Sequence, residues 1–231
     1  VGAYVLDANT TANNNSALGY GALSGNTTGS ENTGIGRYAL KNNTDGTSNS
    51  ALGYNAMDAN TTGAYNTAVG NIALDANTTG DHNCAFGQTA LGANTTADYN
   101  VAFGSNALAD NTTGTNNCAF GATALISNTT ANNNNAFGRQ ALQANTTGTV
   151  NTAVGHQALY TNTTASYNTA VGAGALYTST GEKNTAIGYY ALVNNTSASY
   201  NTAVGAYTLD ANTTGASNVA VGNQALGANT T

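Results

Sequence analysis

Positive charge is what this chain most conspicuously lacks: its only cations are Arg37, Lys41, Arg139 and Lys183, against ten carboxylates, for a formal net charge of −6. A phosphate backbone would find almost nothing to pair with, so nucleic-acid binding is excluded. No apolar run is long enough to cross a membrane as a helix, and residues 1–6 read as repeat material rather than as a secretory leader. Proline and tryptophan are absent, and only two cysteines occur, too few for a disulfide framework. A chain with 6% charged residues can simply be disordered, but disordered chains lack regularly placed apolar residues, and this one has them.

What is present is a period. Glycine recurs every seventeen residues at Gly2, Gly19, Gly36, Gly53, Gly70, Gly87, Gly104, Gly121, Gly138, Gly155 and Gly172, then at Gly188, Gly205 and Gly222. Such self-similarity marks one supersecondary unit stacked on itself, so residues 1–231 read as a single continuous repeat rod cut from a longer protein. The one break in period falls at Tyr177-Thr-Ser-Thr-Gly181, where a residue is missing from a turn. A turn is where a deletion is best tolerated.

Positions are counted here from the glycine. Four before it stands asparagine, as at Asn66, Asn83, Asn100, Asn117, Asn151, Asn168 and Asn201. One before it stands a large apolar residue, as at Val69, Phe86, Phe103, Phe120 and Phe137. Four after it comes leucine, as at Leu74, Leu91, Leu108 and Leu125, usually behind an alanine, and then an Asn-Thr-Thr-Gly block with turn chemistry. That block would stop a helix within about two turns. Two strands of about five residues and two connections fit the unit, giving an all-β, parallel β-solenoid of about fourteen coils. At an interstrand spacing of about 4.8 Å the rod would be on the order of 65 Å long.

Strand alternation gives the five residues ending at the glycine two faces. The residues one and three before it are expected inside, with Val69 and the four phenylalanines joining the leucines as core and the phenylalanines forming a stacked column. The face with Ala68 and Asn66 is then expected to meet a copy of the chain or the chain's own loop, its identical asparagines stacking as an amide ladder. For the Asn-Thr-Thr series, capping of the turn is the plainer reading. Nearly all charge falls at positions that vary between copies, as exposed positions should.

The motifs Asn66-Thr-Ala-Val-Gly70 and Asn184-Thr-Ala-Ile-Gly188 resemble the Ser-Val-Ala-Ile-Gly element in the head repeats of trimeric autotransporter adhesins. The longer unit beginning Asn151-Thr-Ala-Val-Gly-His-Gln-Ala-Leu is similar to the repeats of bacterial and phage tail-fibre-domain proteins. The resemblance covers the whole chain. It implies a left-handed β-roll in each chain, a homotrimer, and an extracellular, cell-surface or virion location, with any host-cell or glycan receptor met through a tip outside this segment.

No catalytic pattern emerges. His82 and His156 sit at variable positions with no recurring partner, the aspartates do not follow the calcium-roll pattern, and neither a metal nor another cofactor is implied. Cys84 and Cys118, at equivalent positions two coils apart, read as small buried thiols, with an interchain disulfide and metal ligation as alternatives. Tyr65, Tyr99, Tyr167 and Tyr200 share one position and offer a surface contact. The Asn-x-Ser/Thr sequons of the Asn-Thr-Thr blocks, Asn77 and Asn94 among them, would carry glycans in a eukaryotic secretory route. The functional expectation is a structural shaft that holds a receptor-binding tip. The alternatives are a ligand-binding solenoid such as an ice-binding or glycan-binding face, with ice the obvious case for the threonine rank at Thr10, Thr27, Thr44, Thr61 and Thr78, or a self-assembling extracellular filament joined end to end.

Overall fold

A computed structural model describes residues 2–231, and the chain divides into two compact units, Val1–Asn116 and Asn117–Thr231. In both, each strand is only three residues long and ends just before a marker glycine. The first unit contains β1 (Ser16–Leu18), β2 (Thr33–Ile35), β3 (Ser50–Leu52), β4 (Thr67–Val69), β5 (Cys84–Phe86) and β6 (Val101–Phe103). The second contains β7 (Cys118–Phe120), β8 (Asn135–Phe137), β9 (Thr152–Val154), β10 (Thr169–Val171), β11 (Thr185–Ile187), β12 (Thr202–Val204) and β13 (Val219–Val221). Neighbouring strands within a unit pair in parallel and in register, so that Thr67, Ala68 and Val69 face Cys84, Ala85 and Phe86. Each unit is a β-solenoid.

The coil from Asn66 to His82 shows how a seventeen-residue turn satisfies its backbone. Thr67, Leu74, Ala76 and Thr78 donate their N–H groups to carbonyls of the following coil, at 2.8 to 3.3 Å. Gly70, Ile72 and His82 donate to carbonyls of the preceding coil, at 2.8 to 3.1 Å, and Ala73 and Asn77 close tight turns three residues back. Reversing the bond direction so often requires residues in the left-handed region. Tyr65 at φ 58°, Ile72 at 49° and Leu74 at 53° supply it, and equivalent residues do so in coil after coil. A bulky side chain rarely adopts this conformation. Stacking on both sides holds it there.

One expectation about local structure is corrected here. The Ala-Leu segment is not a second strand but a turn whose leucine has positive φ. The Asn-Thr-Thr-Gly block has residues that tolerate positive φ, yet neither Asn77 nor Gly80 adopts it. Gly80 is small because a Cβ there would meet Ala97 O and lie 2.5 Å from Asn77 Oδ1.

The larger correction concerns which face of the strand is inside. Ala68, Ala85, Ala102, Ala119 and Ala136, two before the glycine, are completely buried, together with Leu74, Leu91, Leu108 and Leu125. Val69, Phe86 and Phe103 are half-exposed, and Phe120 and Phe137 are exposed, so these five residues lie on the outer face of the sheet and not in the core. The reason is width. At Gly34, the one strand where glycine replaces the inward alanine, an added Cβ would already lie 3.2 Å from Leu23 Cγ and 3.2 Å from the Ala39 carbonyl oxygen. With leucine filling the coil from the turn side, the strand has room for a methyl group and nothing larger.

The charged side chains lie at exposed or half-buried positions, but stacking brings like charges together. Asp58 and Asp75 occupy the same place in consecutive coils, and both carboxyls are pushed above the usual 3.8, chiefly by desolvation. Lys41 offsets this at Asp58, whereas Asp58 adds to it at Asp75. A carboxyl whose folded pKa is raised binds its proton more tightly folded than unfolded, so its ionisation lowers stability as pH rises from 3.8 through the folded value. Asp75→Asn is therefore expected to raise the melting temperature at pH 7. The gain should vanish below pH 3.8, which a pair of melting curves at neutral and acid pH would check.

Candidate functional site

The two asparagine positions are the polar interior. In the first unit, Asn66 N–H donates to Asn49 Oδ1 at 2.9 Å, Asn83 N–H to Asn66 Oδ1 at 2.8 Å, and Asn100 N–H to Asn83 Oδ1 at 3.0 Å. Their Nδ2 groups cross the coil to the carbonyls of Gly80, Ala97 and Gly114. The second unit repeats this. Asn134 N–H reaches Asn117 Oδ1, Asn151 N–H reaches Asn134 Oδ1, and Asn168 N–H reaches Asn151 Oδ1. Asn201 N–H likewise reaches Asn184 Oδ1. This face meets the chain's own turn, one of the two options left open by the sequence.

The Asn-Thr-Thr asparagines do more than cap. Asn77 Nδ2 donates to the Gly80 carbonyl three residues on, at 3.0 Å, and also to Asn60 Oδ1 in the preceding coil at 2.8 Å. Asn94 Nδ2 then donates to Asn77 Oδ1 at 2.9 Å, so this series forms an amide ladder from side chain to side chain. Asn26, Asn43, Asn60, Asn77, Asn94 and Asn111 are wholly buried, as are Asn128, Asn145, Asn162, Asn195 and Asn212. Where these buried asparagines begin a sequon, as Asn77 and Asn94 do, the acceptor nitrogen is inside the fold, and a glycan attached there is incompatible with it. In the shortened coil Ser179 takes the ladder position, and Asn162 Oδ1 is left buried without a donor.

Outside this interior lie the surface groups. On the outer face of the sheet, Leu18, Ile35 and Leu52 are exposed, and Phe86 and Phe103 stack at 4.5 Å in the first unit. Phe120 and Phe137 stack at 5.3 Å in the second, with Val154 and Ile187 exposed on the same face. Cys84 and Cys118 share this outer face as half-buried free thiols, so they are not core residues, and burial pushes both thiols up. A raised pKa makes a thiol less reactive.

Tyr65, Tyr99, Tyr167 and Tyr200 project from the turn before the strand, 55 to 58% exposed, all with positive φ. Tyr65, His82 and Tyr99 form one stack, centroids 4.9 and 5.0 Å apart and planes within 4°. Lys183 Nζ lies 5.0 Å from the Tyr200 ring centroid and 3.1 Å from its hydroxyl. Tyr167, in the preceding coil, also interacts electrostatically with Lys183. His82 and His156 are exposed. Sequence reasoning missed a second tyrosine group, on the turn after the strand. There Tyr20 meets Tyr4 at 5.6 Å and Tyr38 at 5.4 Å, both edge to face. Its signal was available: Tyr4 and Tyr38 hold the same position in alternate coils.

Among the described residues no three His, Cys, Asp or Glu side chains converge as metal ligands do, and no helix is long and apolar enough to cross a membrane. Compared with protein-family models, with curated proteins and with solved structures, the chain matches none. Its chemistry has to be read from its surfaces.

Proposed function

We propose that this chain is a structural shaft segment of an extracellular or virion-borne fibre and that it works as a homotrimer, its copies joined through the outer face of the sheet. One observation carries this reading. The face that points away from the core bears a branched or aromatic apolar side chain in coil after coil, exposed or half-exposed, while the interior is already complete without them. Contiguous apolar surface of this kind belongs against a partner. A second copy in register offers an identical column, and the resemblance to trimeric adhesin heads and tail fibres gives three as the number of copies. The tip that meets a host-cell or glycan receptor is then a separate part of the fibre.

The ice-binding alternative is weakened by the same geometry. Thr10, Thr27, Thr44, Thr61 and Thr78 donate their hydroxyls to backbone carbonyls of the next coil at 2.9 to 3.1 Å. The rank that looked available for ice holds coils together instead.

Sedimentation equilibrium provides the test. The chain is expected at three times 22.9 kDa, and the pair Phe86→Asp with Val154→Asp at one times that mass, with an unchanged far-ultraviolet spectrum. An unsubstituted chain that stays monomeric at every concentration would remove the oligomeric shaft. Unfolding of the double variant would put its two side chains in the core after all.

A further inference from the structure

The second coil is small at three positions where the third is large. Two after the glycine, the first three coils carry Tyr4, Gly21 and Tyr38; five after, Asp7, Ser24 and Lys41; six after, Ala8, Gly25 and Asn42. Because coils stack in register, these three small residues fall side by side and leave a notch. The structure has an open cleft of about 370 Å³ there, floored by Gly21, Ser24 and Gly25 and walled by Tyr4, Tyr20 and Asp7 with Tyr38, Lys41 and Asn42. Tyr38 leans over Gly21, its ring 2.7 Å from where a Cβ would stand, so the glycine is what admits the ring. Glycine alone does not make the floor small: Gly174 is covered in the same way by Tyr190, but there Tyr177 stands where Ser24 does.

We propose that this cleft is a saccharide-binding site. Three tyrosines give ring surface for the C–H face of a sugar and hydroxyls at its rim. Asp7 accepts hydrogen bonds from adjacent sugar hydroxyls, and Lys41 and Asn42 donate to them, a mixture of acceptor and donor that suits neutral polyols. An organic cation is a poorer fit, since Lys41 Nζ and Arg37 Cζ already lie 5.0 and 4.8 Å from the Tyr38 centroid. A simple anion is also a poorer fit, because Asp7 shares the cleft and Lys41 interacts with Asp58 as well. The cleft is formed by turns and not by the outer face of the sheet, so the assignment stands independently of the oligomer.

Saturation-transfer NMR and titration calorimetry with lactose, chitotetraose and sialyllactose test it. At least one is expected to bind, with saturation passing from tyrosine ring protons to sugar C–H protons, and sialyllactose against lactose separates an acidic from a neutral preference. Tyr20→Ala, which removes the central ring, and Ser24→Gln, which fills the floor, are each expected to weaken binding about tenfold or more. Tyr200→Ala should leave it unchanged. Failure of all three sugars to bind, or binding indifferent to both cleft variants while they melt like the parent, overturns the proposal.

Discussion

Alanine at Gly70 is expected to break the stack of the first unit, lowering stability by about 4 kcal/mol or more. Two causes combine. The backbone at Gly70 has φ 144°, which an L-residue adopts only at a cost of roughly 1 to 3 kcal/mol, and the added Cβ would stand 2.5 Å from the Gly87 carbonyl oxygen and 2.7 Å from its carbon. Neither atom is the end of a flexible side chain. The neighbouring coil must therefore move, and the hydrogen bond from Gly87 N–H to Val69 O moves with it. Gly222→Ala separates the two causes, since φ there is 123° but the nearest atom to its added Cβ is Ala225 Cβ at 3.9 Å. Chemical denaturation of both variants should show a several-fold larger loss for Gly70→Ala. Equal losses would mean that backbone conformation alone, and not close coil approach, fixes this glycine.

That the glycine mattered was plain from the period, and so were the parallel solenoid, the leucine interior and the asparagine column. Which face of the strand points inward was not. Alternation separates Ala68 and Asn66 from Val69 and Thr67, but nothing in a period of two says which pair is inside, and ordinary preference places valine and phenylalanine there. The deciding quantity is the distance between strand and leucine turn, which leaves space for a methyl group only, as Gly34 shows. Positive φ at Leu74 was hidden for a related reason. Leucine has no intrinsic taste for that region, and only the demand that its N–H bond to Ala90 O in the next coil puts it there. The tyrosine cleft was legible in principle, because it follows from three small residues aligned with three large ones, but only once the columns are known to stack.

The buried asparagines carry the other large expected effect. Asn77→Ala deletes an amide that accepts from Asn94 Nδ2 and donates to Asn60 Oδ1 and the Gly80 carbonyl. Asn94 Nδ2 keeps the Ala97 carbonyl and the Gly80 carbonyl keeps Asn66 Nδ2, but Asn60 Oδ1 is orphaned inside a water-excluding interior, where such a group costs about 1 to 3 kcal/mol beyond the lost bonds. The expected loss is thus several times that of an exposed Asn-to-Ala change such as Asn71→Ala, measurable as a drop in the denaturation midpoint. Leucine at Asn77 should do no better, because its shape fits but its neighbours still lose their partners. The converse exists in the second unit, where Ser179 interrupts the ladder and Asn162 Oδ1 has no donor. Ser179→Asn places an Nδ2 in that gap and is expected to stabilise by about 1 kcal/mol. If Asn77→Ala is tolerated and Ser179→Asn gains nothing, the ladder is merely a way of packing asparagine. If both move as stated, the amides keep the coils in register, since a slip of one residue would set an amide against an alanine methyl and leave both of its polar atoms buried and unpaired.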